Sequence, residues 1–150
     1  MGKLKIILMA TVLMSLTTTY AWTAPVNTKD TAGQKVSVTK DRVLLYFWAT
    51  WCPDCKHSLQ SVLPKFPTQQ LQILAVNTDA SDSDVEEFRT ANKVVIQSIT
   101  DSDKKIRQEF IIFSVPTAVL LKKEKTEGAV LKKYTGDEIK QVPADLVEKK

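Results

Sequence analysis

The only two cysteines in 150 residues, Cys52 and Cys55, are three positions apart in Trp51-Cys52-Pro53-Asp54-Cys55. Thiols at that spacing can bridge to each other, exchange the bridge with a partner, or hold a soft metal ion. The apolar run Val43-Leu44-Leu45-Tyr46-Phe47-Trp48 leads into the pair. The segment Lys56-His57-Ser58-Leu59-Gln60-Ser61-Val62-Leu63 after it reads as a helix. The order is strand, turn, dithiol, helix. A helix opening at Cys52 points its first unpaired N–H groups at the sulfur and favours the thiolate, the reacting species. Pro53 suits the first helical position, where no N–H is needed and the fixed φ fits. Cys55 falls about one turn further on, on the same face. Cys52, at the exposed helix tip, would attack a partner's disulfide, and Cys55 would resolve the mixed disulfide.

Competing chemistries are weaker. A purely structural bridge over so short a loop constrains the unfolded chain little. Zinc wants four ligands, and there is neither a second cysteine pair nor more than one histidine, His57. Covalent haem needs histidine where Lys56 stands. Cu(I) capture by the paired thiolates remains the non-enzymatic alternative. His57 reads as an exposed first-turn residue, with a proton-shuttle or metal role as the alternative. Trp48 is expected in the core. Trp51 is expected at the rim of the site, where a partner docks.

The elements that must hold the dithiol follow from pattern. Residues 43–48 are too apolar for a strand with one wet face, so a central strand covered on both sides is expected. The helix after Cys55 is expected to reach about Leu63, where Pro64 and Pro67 interrupt it. Residues 71–77 read as a second core strand. Asp79-Ala80-Ser81-Asp82-Ser83-Asp84 offers caps for a helix from Val85 to Asn92. Residues 94–99 read as a short strand, and Asp101 or Ser102 as the cap of a helix through Phe110. A hairpin pairs Thr117–Leu121 with Ala129–Tyr134 across 122–128, and a last helix is broken or restarted by Pro143. Upstream, Val36-Ser37-Val38 suggests a short lead-in strand. Strands alternating with helices and ending in a hairpin give a mixed sheet in an α/β sandwich, one domain without repeats.

The N-terminus has a leader's layout: Lys3 and Lys5, an apolar run from Ile6 to Leu16, and the small-residue exit Thr19-Tyr20-Ala21. We expect residues 1–21 to be a signal peptide cleaved near Ala21. An uncleaved anchor is the alternative, but the run is short for a bilayer of about 30 Å. Residues 22–150 would then be a single domain, with 22–32 as a linker. Cleavage removes two of the lysines behind the formal charge of +4, so the mature chain is less basic than the precursor. The remaining lysines alternate with acids and lack interleaved aromatics, which argues for solvated surface and against nucleic acid. An exported dithiol meets an oxidising compartment, periplasmic or otherwise extracytoplasmic. A reductase there needs an electron supply.

The segment Phe47-Trp48-Ala49-Thr50-Trp51-Cys52-Pro53-Asp54-Cys55-Lys56 resembles the active-site segment of the thioredoxin superfamily. It is most similar to the TlpA-like extracytoplasmic thiol-disulfide oxidoreductases. A second matching signature is Ser114-Val115-Pro116-Thr117, ahead of Ala118-Val119-Leu120-Leu121. Read alone, Pro116 is equally an ordinary proline opening a strand. The resemblance covers roughly residues 33–136. It implies a thioredoxin-like three-layer sandwich with a mixed central sheet, and a cis Pro116 packed beside the dithiol. It further implies that Val115 offers backbone groups to a docked partner, with Trp51, Pro53 and Asp54 in the same surface. The implied partners are proteins with disulfides, apocytochrome c among some relatives, and an upstream thiol-disulfide electron donor. No cofactor is called for, and the oligomeric state is left open.

Two departures stand out. Thioredoxin carries a buried acid on the strand entering the motif; Tyr46 takes that place here, neutral at working pH. Some TlpA-like reductases carry a glutamate just after the second core strand. That position falls on Ala80, leaving Asp79 as the nearest candidate base, or a helix-capping or loop acid. Asp54 has its own consequence. A carboxylate about 6 Å from a thiolate costs on the order of 0.7 kcal/mol at water's dielectric. It opposes the helix-terminus stabilisation of Cys52 and makes the disulfide harder to reduce. The expectation is a reducing centre; oxidase or isomerase activity is the alternative within the class.

Overall fold

The computed structural model describes residues 29–123 and 128–147. The expected signal peptide, residues 22–28 of the expected linker and the tip of the hairpin turn lie outside the described residues.

Five strands form one mixed sheet: β1 (Arg42–Trp48), β2 (Leu71–Asn77), β3 (Ser98–Thr100), β4 (Thr117–Lys123) and β5 (Gly128–Thr135). Their spatial order is β3-β2-β1-β4-β5. β1 is parallel to β2, with Leu45 opposite Leu74, and antiparallel to β4, with Leu45 opposite Val119. β2 pairs parallel with β3 and β4 antiparallel with β5. The apolar run before the cysteines is the middle strand, and its alternation splits it between two cores. Leu44, Tyr46 and Trp48 belong to one buried cluster, with Cys55, Leu59 and Leu63. Val43, Leu45 and Phe47 belong to the other, with Leu74, Val119 and Phe110. A strand buried on both faces can be apolar throughout, which is why β1 lacks a polar side.

Helix α1 (Pro53–His57) continues through a π-helical turn, Ser58–Val62, into a 3-10 turn, Leu63–Lys65. The helical path thus passes Pro64, which sits second in that last turn, where the bonding changes from π to 3-10. Helix α2 (Asp82–Ala91) starts three residues earlier than expected because Ser81 caps it: its Oγ accepts from the Asp84 N–H. Helix α3 (Lys105–Glu109) is shorter than the run to Phe110 that the pattern suggested, and its N-cap position is Lys104 rather than Asp101 or Ser102. Asp101 still serves it, accepting the backbone N–H groups of Ile106 and Arg107 at 2.9 and 3.0 Å. Pro143 falls second in helix α4 (Val142–Val147), so it opens that helix after a 3-10 turn at Gly136–Gln141.

Three other expectations need correction. Residues 94–97 are not in a strand; Val94 and Ile96 are buried while Val95 is 80% exposed, so a loop alternates like a strand without pairing. The lead-in strand at 36–38 is reduced to one bridge between Lys29 and Lys35, although Val36 packs into the core. The described part of the expected linker is packed: the Thr31 N–H donates to the Ser98 carbonyl, its hydroxyl to Glu86, and Asp30 is buried.

Candidate active site

The dithiol lies where β1 ends and α1 begins. The Cys52 N–H donates to the Ala49 carbonyl at 3.2 Å, turning the chain out of the strand. Cys52 takes the extended backbone of an N-cap residue, and its Sγ accepts the Cys55 N–H at 3.1 Å. Pro53 is the first helical residue. The two sulfurs are joined, with the Cα atoms 5.2 Å apart. Both are more enclosed than an exposed helix tip would be. Cys52 keeps 5% of its surface and Cys55 none, because both pack with Ala49 and Leu59 in the core cluster. Whatever reaches this disulfide reaches it through Cys52.

Beneath the pair, the Tyr46 hydroxyl donates to the Cys55 carbonyl at 3.5 Å. Burial pushes this phenol far above its ordinary value, with only partial relief from a hydrogen bond to Ser58. Tyr46 is therefore a neutral donor and cannot take a proton from Cys55. Asp79 lies in the loop after β2 with its oxygens already engaged. One accepts the Thr50 hydroxyl at 2.6 Å; the other accepts the Thr50 N–H and the Asn77 side-chain amide, each at 3.0 Å. That is a loop acid fixing the residue before Trp51.

The Val115–Pro116 bond is cis. The Thr117 hydroxyl donates to the Ser114 carbonyl at 2.8 Å and the Gly136 N–H to the Pro116 carbonyl at 3.2 Å, holding the loop on both sides. Two surface recesses, each about 200 Å³, tie this loop to the helix. Trp51 and Val115 line one; Asp54, His57 and Pro116 line the other. Trp51 is 71% exposed, whereas Trp48 is buried with its ring 4.9 Å from that of Phe88. His57 is exposed. No three His, Cys, Asp or Glu side chains cluster as a metal site among the described residues.

Sequence reasoning did not find Thr50, Thr78, Arg107, Ile111 or Phe113, and read Asp101 only as a helix cap. Arg107 Nε pairs with the buried Asp101 carboxylate at 3.0 Å, and its Nη2 donates to the Thr78 carbonyl. Thr78 in turn donates to the Trp48 carbonyl through its N–H at 3.0 Å and its hydroxyl at 3.1 Å. These contacts join residues far apart in the chain, and no local pattern announces them. Phe113 is 92% exposed. In the sequence it merely ends the apolar run from Phe110.

A mixed sheet with a cysteine pair at the first turn of a helix and a facing cis-proline loop defines a thioredoxin-like thiol-disulfide oxidoreductase. Residues 20–127 match the AhpC/TSA family, and the chain belongs to it. The sporulation thiol-disulfide oxidoreductase A of Bacillus subtilis (strain 168) is 30% identical over 122 residues, 75% of this chain and 74% of that protein. The thiol-disulfide oxidoreductase ResA of the same organism is 29% identical over 114 residues, covering 72% of this chain and 62% of ResA. The crystal structure of StoA from Bacillus subtilis matches with a TM-score of 0.64 at 29% identity, covering 80% of this chain and 93% of that one. These likenesses bear out the TlpA-like, thioredoxin-superfamily resemblance and its class of chemistry.

Proposed function

We propose that the protein is an exported reductase of disulfides in partner proteins, with Cys52 as attacking sulfur and Cys55 as resolving sulfur. The observation that carries this is the asymmetry of the pair: Cys52 alone retains accessible surface, and its Sγ accepts the Cys55 N–H at 3.1 Å. That donor, with the helix start behind it, favours negative charge on the Cys52 sulfur. The Cys52 thiolate attacks one sulfur of the partner's disulfide, forming a mixed disulfide as the partner's S–S bond breaks. The leaving partner thiolate takes a proton from solvent. The Cys55 thiolate then attacks the Cys52 sulfur and releases the second partner thiol. The partner gains two electrons and two protons; the pair ends oxidised and is recharged by an upstream dithiol. Val115 and cis Pro116 form the docking edge, beside Trp51, Pro53 and Asp54. The working form is residues 22–150, outside the cytoplasm after removal of residues 1–21. Among the described residues, no helix is long and apolar enough to cross a membrane.

The test is the equilibrium reduction potential of Cys52–Cys55 in the cleaved protein. A value near or below about −270 mV supports the reductase. A value near −120 mV, the region of strong oxidants, overturns it.

A further inference from the structure

The loop that carries cis Pro116 presents exposed apolar side chains. Phe113 is 92% exposed and Ile111 55% exposed. Ile111 also sits where a branched side chain is unfavourable. Helix α3 ends with the Ile112 N–H bonded to the Arg107 carbonyl at 2.8 Å and the Ile111 N–H to the Gln108 carbonyl at 3.1 Å. This is the left-handed helix stop that glycine normally fills, and Ile111 holds it at φ +53°. Lys93 holds the same place after α2 at φ +54°, but it is unbranched. A β-branched residue in this region is a true outlier, kept only when its surroundings or its use demand it. The surroundings do not demand it, since more than half of the side chain faces water. Lys133 secures the stop by donating to the Phe110 and Ile111 carbonyls at 2.7 and 3.1 Å, an arrangement indifferent to the Ile111 side chain.

Position supplies the use. Phe113, Val115 and Trp51 line one groove of about 200 Å³, and Trp51 is next to Cys52. The charged group in its lining, Arg107, is already engaged by Asp101 and Thr78. A partner sulfur that reaches the narrow exposed face of Cys52 must lay neighbouring residues against this rim. We infer that Ile111 and Phe113 form an apolar ledge that selects partner proteins whose target cysteine is flanked by a large apolar side chain. Burying Phe113 against such a side chain removes apolar area from water, and a flanking serine offers none. The inference rests on Cys52 being the attacking sulfur.

The test uses the pre-reduced full chain in single-turnover reduction of three probes. Two are disulfide-linked peptides identical except for leucine or serine beside the cysteine; the third is hydroxyethyl disulfide, too small to touch the ledge. Wild type is expected to reduce the leucine peptide about tenfold faster than the serine peptide. Phe113→Ser should abolish that preference and leave hydroxyethyl disulfide unchanged. Ile111→Asn should weaken the preference while raising Tm, because asparagine tolerates the left-handed backbone. A preference absent in wild type, or surviving in Phe113→Ser, overturns the ledge. So does a concentration-dependent dimer that Phe113→Ser dissociates, since a second copy would then be the occupant. If Cys52→Ser still reduces hydroxyethyl disulfide, the reading of the dithiol fails instead.

Discussion

Two helices of this protein begin in the same way and end up doing different work. Helices α1 and α2 follow the neighbouring parallel strands β1 and β2, so their first turns rise from the same edge of the sheet. At α2 the free N–H groups are met by oxygen. Ser81 Oγ accepts the Asp84 N–H at 3.3 Å, and an Asp84 carboxylate oxygen accepts the Ser81 N–H at 3.3 Å and hydroxyl at 2.6 Å. At α1 the corresponding N–H meets only the Cys52 sulfur. A neutral sulfur is a poor acceptor, and a thiolate a good one. The capping energy that α2 spends on holding a helix is thus held back at α1 until Cys52 carries charge. One helix start is sealed; the other, in the proposed reaction, is completed by the Cys52 thiolate.

The largest way to break the contrast is Cys52→Ser, which gives α1 the oxygen cap that α2 already has. Helix α1 should persist, as circular dichroism would show, because the lost bridge closed only a short loop. Disulfide reduction should fall on the order of 10³-fold or more. At α2, Ser81→Ala should cost about 1 kcal/mol in urea unfolding and leave the reduction potential unchanged. A shifted potential would mean the two helix starts are not independent. Asp54→Ala removes the carboxylate two residues after Cys52 and should raise the potential by roughly ten to a few tens of mV. The smallest effect is in pH. Hydrogen bonds from the Ser81 side chain and backbone hold the Asp84 carboxyl below its usual value. A carboxyl lowered on folding stabilises fully above its unfolded value, and that contribution fades as pH falls through the lowered one. The penalty of Ser81→Ala, followed by urea unfolding across acid pH, should therefore shrink toward low pH.

These differences were partly written in the sequence. Strand β2 matches its expected bounds, and β1 differs by one residue, because both are short, mainly apolar runs of strand length bounded by turn residues. Residues 94–97 were misread: their burial alternates as in a strand, but alternation reports which side chains are buried, not whether the backbone pairs. Helix starts were less legible than helix faces. Asp101 reaches across to the N–H groups of α3 from four residues before Lys105, so its capping role gave the wrong first residue. The Cys52–Cys55 pairing and the cis bond at Pro116 were legible because their spacing and resemblance are local. The hold of Asp79 on Thr50 and the bond from Arg107 to Thr78 were not, since each joins segments about 29 residues apart. Ile111 and Phe113 were hidden by their own chemistry: an apolar pair beside Phe110 reads as core, and only the fold turns it outward.

Arg107 has a bearing on how the site tolerates change. Through Asp101, Thr78 and the Trp48 carbonyl it links the segments that leave β3, β2 and β1, and Asp79 adds a second tie to Thr50. The seat of the dithiol is a shared mount, with no single loop bearing it alone. Substitutions at Asp101, Arg107 and Thr78 should therefore combine non-additively, because the first to loosen the mount leaves less for the next to lose. Sequence drift around this disulfide would be constrained in blocks, with distant positions changing together or not at all.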